Sequence, residues 1–198
     1  LEVETGVATG FKRVGSITAA LTTERREEIF RQAAMARAFG VDVEEITPSE
    51  IGTRYPHLNL DGVQAGVYLS KDGQGDPGNI ALALAKGARQ NGALIQERVK
   101  AIGLKRKGRR ITGVDWQAED GAAGHIACEM VVNCAGMWGH EVGRMAGVNV
   151  PLHACEHFYI VSEPIEGLSQ LPVLRVPDEC AYYKEDAGKM MLGAFEPN

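Results

Sequence analysis

The sequence predicts a mixed α+β and α/β fold, with a central α/β layer flanked by parts of an antiparallel sheet. Two observations support this prediction. Strand and helix patterns alternate as β-α-β in the middle of the chain, and strand-like runs dominate both ends. A third is the glycine content: 24 glycines in 198 residues without a repeat indicate many tight turns and close backbone approaches.

Composition narrows the class of protein. Hydrophobic content of 44% and charged content of 24% are ordinary for a globular protein, and the net charge of −5 argues against nucleic acid as a partner. No apolar run approaches the ~20 residues of a membrane span, so no membrane insertion is expected. The cysteines are scattered and are expected to be reduced, which favours the cytoplasm, with the mitochondrial matrix as the alternative. They are Cys128, Cys134, Cys155 and Cys180.

Three helices are predicted in the first half of the chain. "TTERREEIFRQAAMARAFG" has a threonine cap, acidic residues near its start and Gly40 as terminator. "TPSE" has the form of a capping box, with Thr47 as the cap, Pro48 at the first helical position, and Pro56 limiting the helix to a short one. "NIALALAKGARQNG" is an apolar-faced helix closed by Gly92.

Strands are predicted around and after these helices. "GFKRVGSITAAL" is expected to form two short strands or one bent strand, and "VQAGVYLS" and "ALIQERV" one strand each. "KAIGLKRKGRRITGVDWQ" has the pattern of a hairpin, and "HIACEMVVNCAG" contains a predicted buried strand. "HACEHFYIVSEP" and "AYYKEDAGKMMLGAFE" are strand-like.

The motif "GQGDPG" at 73–78 matches G-x-G-x-x-G, a dinucleotide fingerprint, and Glu97 stands where a ribose-binding acid is expected. Local chemistry favours a turn instead. Asp76 would bring negative charge to a pyrophosphate, and Pro77 removes an amide that should bind it. We therefore expect Asp76 to cap a helix that begins at Pro77.

Two further motifs have simpler explanations. "HACEH" matches a zinc-peptidase pattern, but it is predicted to be a strand, on which His153 and His157 would lie ~13 Å apart, too far for one zinc ion. No metal site is therefore predicted. "KRKGRR" could bind nucleic acid, but a solvated hairpin turn between two strand-like runs suits it better.

The stretch "VVNCAGMWGHEVGRMAG" starts as a predicted strand and ends as a predicted helix, with its smallest and bulkiest side chains at the junction. This contrast suggests that a flat group approaches the backbone at Ala135 and Gly136 and is covered by Trp138. The alternative for Trp138 is an aromatic side chain packed on the sheet.

The continuation of that stretch through "VNVPLHACEHFYIV" resembles the dimethylglycine dehydrogenase and sarcosine dehydrogenase group of FAD-dependent amine oxidoreductases. Four other stretches agree in order and spacing, so the resemblance covers essentially the whole chain. They are "LEVETGVATGFKRVGSI", "DGQGDPGNIALALAKGAR", "LPVLRVPDECAYYKED" and "GAFEPN". The resemblance implies a D-amino-acid-oxidase-like flavoprotein that oxidises an N-methyl amine to an iminium by hydride transfer to flavin.

The resemblance also implies site residues. Ala135 and Gly136 match the turn that runs beside FAD, Trp138 matches an aromatic position beside the flavin, and Val99 matches a main-chain contact to the adenine end. Val99 could equally be an ordinary core residue of a strand.

On the substrate side, His157 matches a histidine of the family and Tyr183 a tyrosine, with Tyr182 as the alternative register. A group that titrates near neutrality and a phenolic hydroxyl suit the oxidation of a neutral amine. A structural role, with these side chains hydrogen-bonded within strands, is the alternative.

The implied organisation is discontinuous: 1–70 and 151–198 form the substrate domain, and 71–150 form part of the FAD domain. "LEVETGVATG" opens without an initiator Met, and we expect the sequence to be a piece of a longer protein. The upstream dinucleotide fingerprint and a folate-binding domain would then lie outside it, leaving the FAD site incomplete and the isolated fragment inactive. Expected partners are a small N-methyl amino acid and an electron acceptor, either a protein or oxygen. The alternative function is a non-catalytic α+β binding module.

Overall fold

The structure is a computed structural model that describes residues 1–195, and it divides into two compact units. The first unit contains residues 1–87 and the described residues from 157 onward. The second unit contains residues 88–156. The units divide after residues 87 and 156, whereas the predicted boundaries fall after residues 70 and 150. The domain boundaries and the substrate and FAD roles of the parts stay predictions.

The first unit is built on a mixed seven-stranded sheet with the order β2-β3-β1-β8-β9-β10-β7. Neighbouring strands are antiparallel except for β1 and β8, which are parallel. The strands are β1 (Ser16–Ala20), β2 (Glu44–Ile46), β3 (Ala65–Leu69), β7 (Phe158–Val161), β8 (Val173–Val176), β9 (Ala181–Asp186) and β10 (Lys189–Ala194). The helices are α1 (Glu2–Thr5), α2 (Thr23–Ala38), α3 (Pro48–Arg54) and α4 (Pro77–Gln90), the last of which ends in the second unit.

The helix ends follow the capping residues in the sequence. The Thr22 side chain accepts from the amide of Arg25 at the start of α2, and Gly40 takes a φ of +78° just beyond its end. At α3 the predicted capping box is confirmed, because Thr47 and Glu50 bond reciprocally and Pro48 is the first helical residue.

The "GQGDPG" segment forms the predicted helix cap. The Asp76 carboxylate accepts from the amide of Asn79 at 2.8 Å, and Pro77 is the first residue of α4. Beyond the helix, Gly92 has a φ of +86°, as expected of a glycine that terminates a helix.

The second unit is built on a three-stranded antiparallel sheet in the order β4-β5-β6. The "KRKGRR" segment forms the predicted turn between β4 and β5, with Gly108 at a φ of +63°. A short 3-10 helix (Gly136–Trp138) leads into α5, which is followed by Gly147 at a φ of +70°. The strands and helix are β4 (Val99–Lys107), β5 (Arg110–Ala118), β6 (Ala123–Ala127) and α5 (Gly139–Ala146).

Three strand predictions are wrong in extent. Residues 93–98 form no strand, because the strand begins at Val99. In "HIACEMVVNCAG", which was predicted to contain a buried strand, β6 ends at Ala127; residues 128–135 are outside any strand, and Val132 is 82% exposed. An apolar run becomes a strand only where a neighbour supplies the ladder hydrogen bonds. Beyond one bond from the Cys128 amide to the Thr112 carbonyl, no strand of residues 1–195 pairs with 128–135.

The third correction concerns "HACEHFYIVSEP", where β7 is confined to Phe158–Val161 and residues 151–157 are neither strand nor helix. The 13 Å spacing expected for His153 and His157 on a strand therefore has no structural basis. The described residues contain no cluster of three or more His, Cys, Asp or Glu side chains that could hold a metal ion.

The hydrophobic core lies in the first unit. One cluster joins the sheet to α3, and a second joins the sheet to α2. Ile17, Ile51 and Leu174 are completely or almost completely buried, and each such side chain contributes about 1.5–3 kcal/mol relative to an exposed one. All four cysteines are free. Among residues 1–195, no helix is both long and apolar enough to cross a membrane.

Candidate functional site

The four residues predicted to hold FAD line one cavity of about 1260 Å³ in the second unit. Val99 begins β4, and Ala135, Gly136 and Trp138 form the turn that leads into α5. The cavity is larger than the roughly 300–1,000 Å³ typical of small-molecule sites, so a large ligand would fit. The fold of the second unit alone thus brings Val99 and Ala135, which are 36 residues apart in the sequence, to one surface.

Asn133 determines the shape of the turn. Its side-chain oxygen accepts from the amide of Ala135 at 3.2 Å, and its side-chain nitrogen donates to the carbonyl of Gly139 at 2.8 Å. The amide of Trp138 donates to the carbonyl of Ala135 at 3.0 Å. Asn133 was not among the residues predicted from the sequence, although asparagine before a small-residue turn is a usual signal for side-chain bonding to the backbone.

Gly136 has a φ of +53°, a conformation that glycine adopts without strain. A Cβ placed on Gly136 would meet no atom within 4 Å, so one side of the turn faces open space. Trp138 is 60% exposed and lines the same cavity. This position differs from the alternative, in which the side chain would pack on the sheet. The turn therefore offers an open backbone surface with an accessible indole nearby.

Charged side chains lie on the wall of this cavity. Arg98 and Lys100 carry positive charge, and Glu119 and Glu141 carry negative charge. The guanidinium of Arg98 lies 3.9 Å from the Glu119 carboxylate, and both side chains are largely exposed. The two cations are balanced by the two carboxylates, so the wall carries no net charge. Its apolar residues fit a flat ring system, and Lys100, outside the Arg98 and Glu119 pair, fits a phosphate group of FAD.

In the first unit, the structure brings His157 and Tyr182 together. Nε2 of His157 lies 3.0 Å from the Tyr182 hydroxyl, and the two rings are stacked with centroids 5.8 Å apart. The imidazole also stacks on Phe195 at 4.7 Å between centroids, and the Phe195 and Tyr182 rings are 5.7 Å apart, so the three rings form one cluster. The imidazole thus contacts two aromatic rings and one hydroxyl.

Gly193 makes this arrangement possible. It is the cross-strand partner of Tyr182, and a Cβ at Gly193 would overlap the Tyr182 ring. The ring lies across the glycine of the next strand and reaches His157. The motif "GAFEPN" is part of the family resemblance, but no role was predicted for its residues Gly193 and Phe195. The last three residues of that motif lie outside the described part of the chain.

Tyr183 does not join His157. Successive residues of a strand point to opposite faces of a sheet, so Tyr183 lies on the face opposite Tyr182. Its hydroxyl donates to the Glu179 carboxylate at 3.4 Å. Burial, followed by the nearby charge of Glu179, raises the pKa of Tyr183 above its ordinary value. Of the two tyrosines weighed from the sequence, the structure pairs Tyr182 with the histidine.

Comparison with known proteins identifies the family of this chain. Residues 1–198 match the profile of the family described as "FAD dependent oxidoreductase". The chain is 36% identical to the mitochondrial sarcosine dehydrogenase of Homo sapiens and 34% identical to the mitochondrial dimethylglycine dehydrogenase of Rattus norvegicus. These matches cover 100% and 99% of this chain and 22% and 23% of the respective relatives.

A third relative is named as a regulatory subunit and not as a dehydrogenase. The chain is 34% identical to the mitochondrial pyruvate dehydrogenase phosphatase regulatory subunit of Mus musculus, over 100% of this chain and 22% of that protein. The chain thus spans about a fifth of the length of these three relatives. Among solved structures, the L-proline dehydrogenase of P. horikoshii is 25% identical with a TM-score of 0.79, covering 98% of this chain and 51% of the other.

Proposed function

Because the chain belongs to the family of FAD-dependent oxidoreductases, we propose that it forms part of an enzyme that oxidatively demethylates a small N-methyl amino acid, sarcosine or dimethylglycine. The observation that carries this proposal is the hydrogen-bonded pair of His157 and Tyr182. Identity over the whole chain to two dehydrogenases named for these substrates supports it. The proposal assigns the substrate role to the first unit and the cofactor role to the second.

In the second unit, Val99, Ala135 and Gly136 would hold FAD through backbone groups, and Trp138 would cover part of its surface. Lys100 supplies a positive charge for a phosphate group of FAD. When bound, FAD supplies the acceptor for the hydride that leaves the N-methyl carbon of the substrate. The contribution of the second unit is therefore binding and orientation.

In the first unit, His157 and Tyr182 would control the protonation of the substrate amine. An amine gives up hydride only when its nitrogen lone pair is free, so the ammonium proton has to be removed first. The neutral His157 imidazole is a base that can accept that proton, while the Tyr182 hydroxyl fixes the position of Nε2. Stacking on Phe195 restricts the rotation of the same ring.

The first test is the visible spectrum of the intact protein without oxygen, before and after addition of sarcosine or dimethylglycine. Bleaching of a flavin band by one of them is the expected result and identifies the substrate. A yellow protein that neither compound bleaches would contradict the proposed substrate class. A protein that stays colourless after addition of FAD would contradict the proposed enzyme function.

The neighbouring tyrosines provide a matched test of the proposed roles. Tyr182→Phe should slow anaerobic flavin reduction by about 10²-fold, within the range for loss of a group that positions a proton acceptor. It should also shift the pH at which reduction begins, since the hydroxyl contacts Nε2 of His157. Tyr183→Phe, on the opposite face, should leave both nearly unchanged. A larger loss in Tyr183→Phe would reverse the assignment.

The proposal also includes an electron acceptor, either an electron-transfer protein or oxygen. Mixing the substrate-reduced protein with air-saturated buffer distinguishes them, because an oxidase returns to the oxidised spectrum within seconds. The cytoplasm stays the predicted compartment and the mitochondrial matrix the alternative. The word mitochondrial in the names of three relatives favours the matrix, and cell fractionation tests it.

A second candidate function is regulation without redox turnover, in agreement with the binding-module alternative. The 34% identity to a regulatory subunit, equal to the identity to dimethylglycine dehydrogenase, supports it. This candidate predicts no bleaching of flavin by any N-methyl amino acid, and specific capture of a protein partner by the intact protein. Turnover of sarcosine or dimethylglycine would exclude it.

A further inference from the structure

A second cavity, of about 400 Å³, lies within the first unit on the face of β9 that bears Tyr183. The His157 and Tyr182 pair is on the opposite face of that strand, so this cavity is separate from the proposed substrate site. Its volume is within the range of small-molecule pockets. Its walls are mainly apolar side chains, formed by Ala19, Leu21, Leu58, Val63, Leu174, Val176 and Met190.

A phenol is buried in this apolar wall. Tyr55 is only 3% exposed, and its hydroxyl donates to the sulfur of Met190 at 3.5 Å. A thioether is a weak acceptor, and no other partner of this hydroxyl is recorded among residues 1–195. Burial raises the pKa of Tyr55 to about 12, so the group is a neutral phenol at ordinary pH. Buried hydroxyls usually have strong partners, so this oxygen has unused capacity to accept a hydrogen bond.

The charged groups of the cavity are acidic and belong to solvent-exposed residues of its lining. Glu179 accepts a hydrogen bond from Tyr183, and Asp61 is the second carboxylate. His57 is the only lining residue that can become a cation, because the lining contains no lysine or arginine. The cavity therefore combines two carboxylates and two phenolic oxygens with an apolar interior.

We propose that this cavity binds a small organic ammonium ion with an apolar body. The ammonium group donates hydrogen bonds to the Glu179 carboxylate and to the tyrosine oxygens, and the apolar body contacts Leu174 and Met190. Tyrosine rings also attract organic cations to their faces. A zwitterionic amino acid fits poorly, since the lining offers no lysine or arginine to pair with its carboxylate. The ligand expected in this cavity therefore differs from the N-methyl amino acid that is proposed as the substrate.

Binding of n-butylammonium to the intact protein tests this inference directly, measured by isothermal titration calorimetry at pH 7. n-Butanol, of similar apolar size, serves as the neutral comparison. Butylammonium should show saturable binding at least tenfold tighter than butanol. Equal affinity for butylammonium and butanol, or no saturable binding of butylammonium, would overturn the proposal.

Variants then locate the binding. Glu179→Gln should weaken butylammonium binding at least tenfold, and Tyr55→Phe about three- to tenfold, with circular dichroism to show that each folds. The matched controls are Glu27→Gln, an exposed position on α2, and Tyr68→Phe, a phenol outside the cavity lining. Unchanged binding in Glu179→Gln would overturn the assignment to this cavity. Flavin reduction by sarcosine is a separate measurement, so failure of the enzyme proposal leaves this test intact.

Discussion

The two units differ in how they bury apolar side chains. Every buried hydrophobic residue among residues 1–195 lies in the first unit, including Ile17, Ile51 and Leu174. The buried residues of the second unit are all glycines, namely Gly113, Gly139 and Gly143. The second unit therefore has strands and a helix with the expected turns, but no apolar core of its own.

This difference bears on the two candidate sites. In the first unit, Tyr182 lies on a strand that is paired on both sides, and its hydroxyl contacts His157. In the second unit, Trp138 lines the cavity and is 60% exposed, and Val132 is 82% exposed elsewhere in the unit. Apolar surface exposed to this extent usually marks a binding site, so we expect a ligand to stabilise the second unit more than the first.

The largest expected effect is the loss of a core side chain. Ile17→Ala removes a completely buried residue of β1 and should lower the free energy of unfolding by about 2–5 kcal/mol. Val132→Ala, at an 82% exposed position of the second unit, should change it by less than about 0.5 kcal/mol. Urea denaturation followed by circular dichroism measures both. Equal losses would show that Val132 is buried in solution.

A smaller effect is expected from FAD. At a free concentration one hundred times its dissociation constant, a ligand stabilises the state that binds it by about 2.7 kcal/mol. Hydrogen exchange of the intact protein should therefore slow most in residues 99–118 and 136–147, with less change in β1 and β3. Slowing confined to the first unit would contradict the assignment of FAD to the second.

The capping box of α3 should contribute less. Thr47→Ala removes the hydroxyl that accepts from the amide of Glu50 and should cost about 1 kcal/mol. Thr47→Ser keeps the hydroxyl and is the matched control. No equivalent variant exists for α5, whose N-terminal position Trp138 makes no side-chain cap. If Thr47→Ser is as unstable as Thr47→Ala, the methyl group and not the cap is responsible.

The smallest expected effect is a pH dependence in the second unit. Hydrogen bonds from Lys105 and then from His125 lower the pKa of the Asp115 carboxyl below its ordinary value. A lowered folded-state pKa stabilises the protein above the ordinary carboxyl pKa of about 4, and this contribution is lost as pH falls through the folded value. Acid denaturation of Asp115→Asn should therefore lack part of the wild-type pH dependence. An unchanged acid profile would contradict the contribution of these bonds.

Features that depend on neighbours within a few residues were predictable. The capping box at Thr47, the cap at Asp76 and the turn at Gly108 all appear where the sequence places them. Each is decided by hydrogen bonds or backbone conformations within about four residues. Val99, Ala135 and Gly136 line one cavity, and the role in FAD binding that the family resemblance implied for them stays a prediction.

Features that depend on distant partners were not predictable in the same way. The segment 128–135 has the composition of a buried strand, but no strand among the described residues pairs with it. The choice between Tyr182 and Tyr183 also depends on register, because a shift of one residue exchanges the two faces of a strand. Pairing with β10, where Gly193 lies opposite Tyr182, decides that register.

The resemblance of its motifs identified the family, and the sequence by itself determined the mixed fold and the local caps and turns, since these depend on composition, periodicity and short-range bonding. Only the tertiary structure decided which tyrosine meets His157, that Phe195 stacks on the same ring, and that Tyr55 is buried beside a second cavity. These contacts join residues 25 to 135 positions apart. Their geometry follows from strand register and packing, which no local pattern encodes.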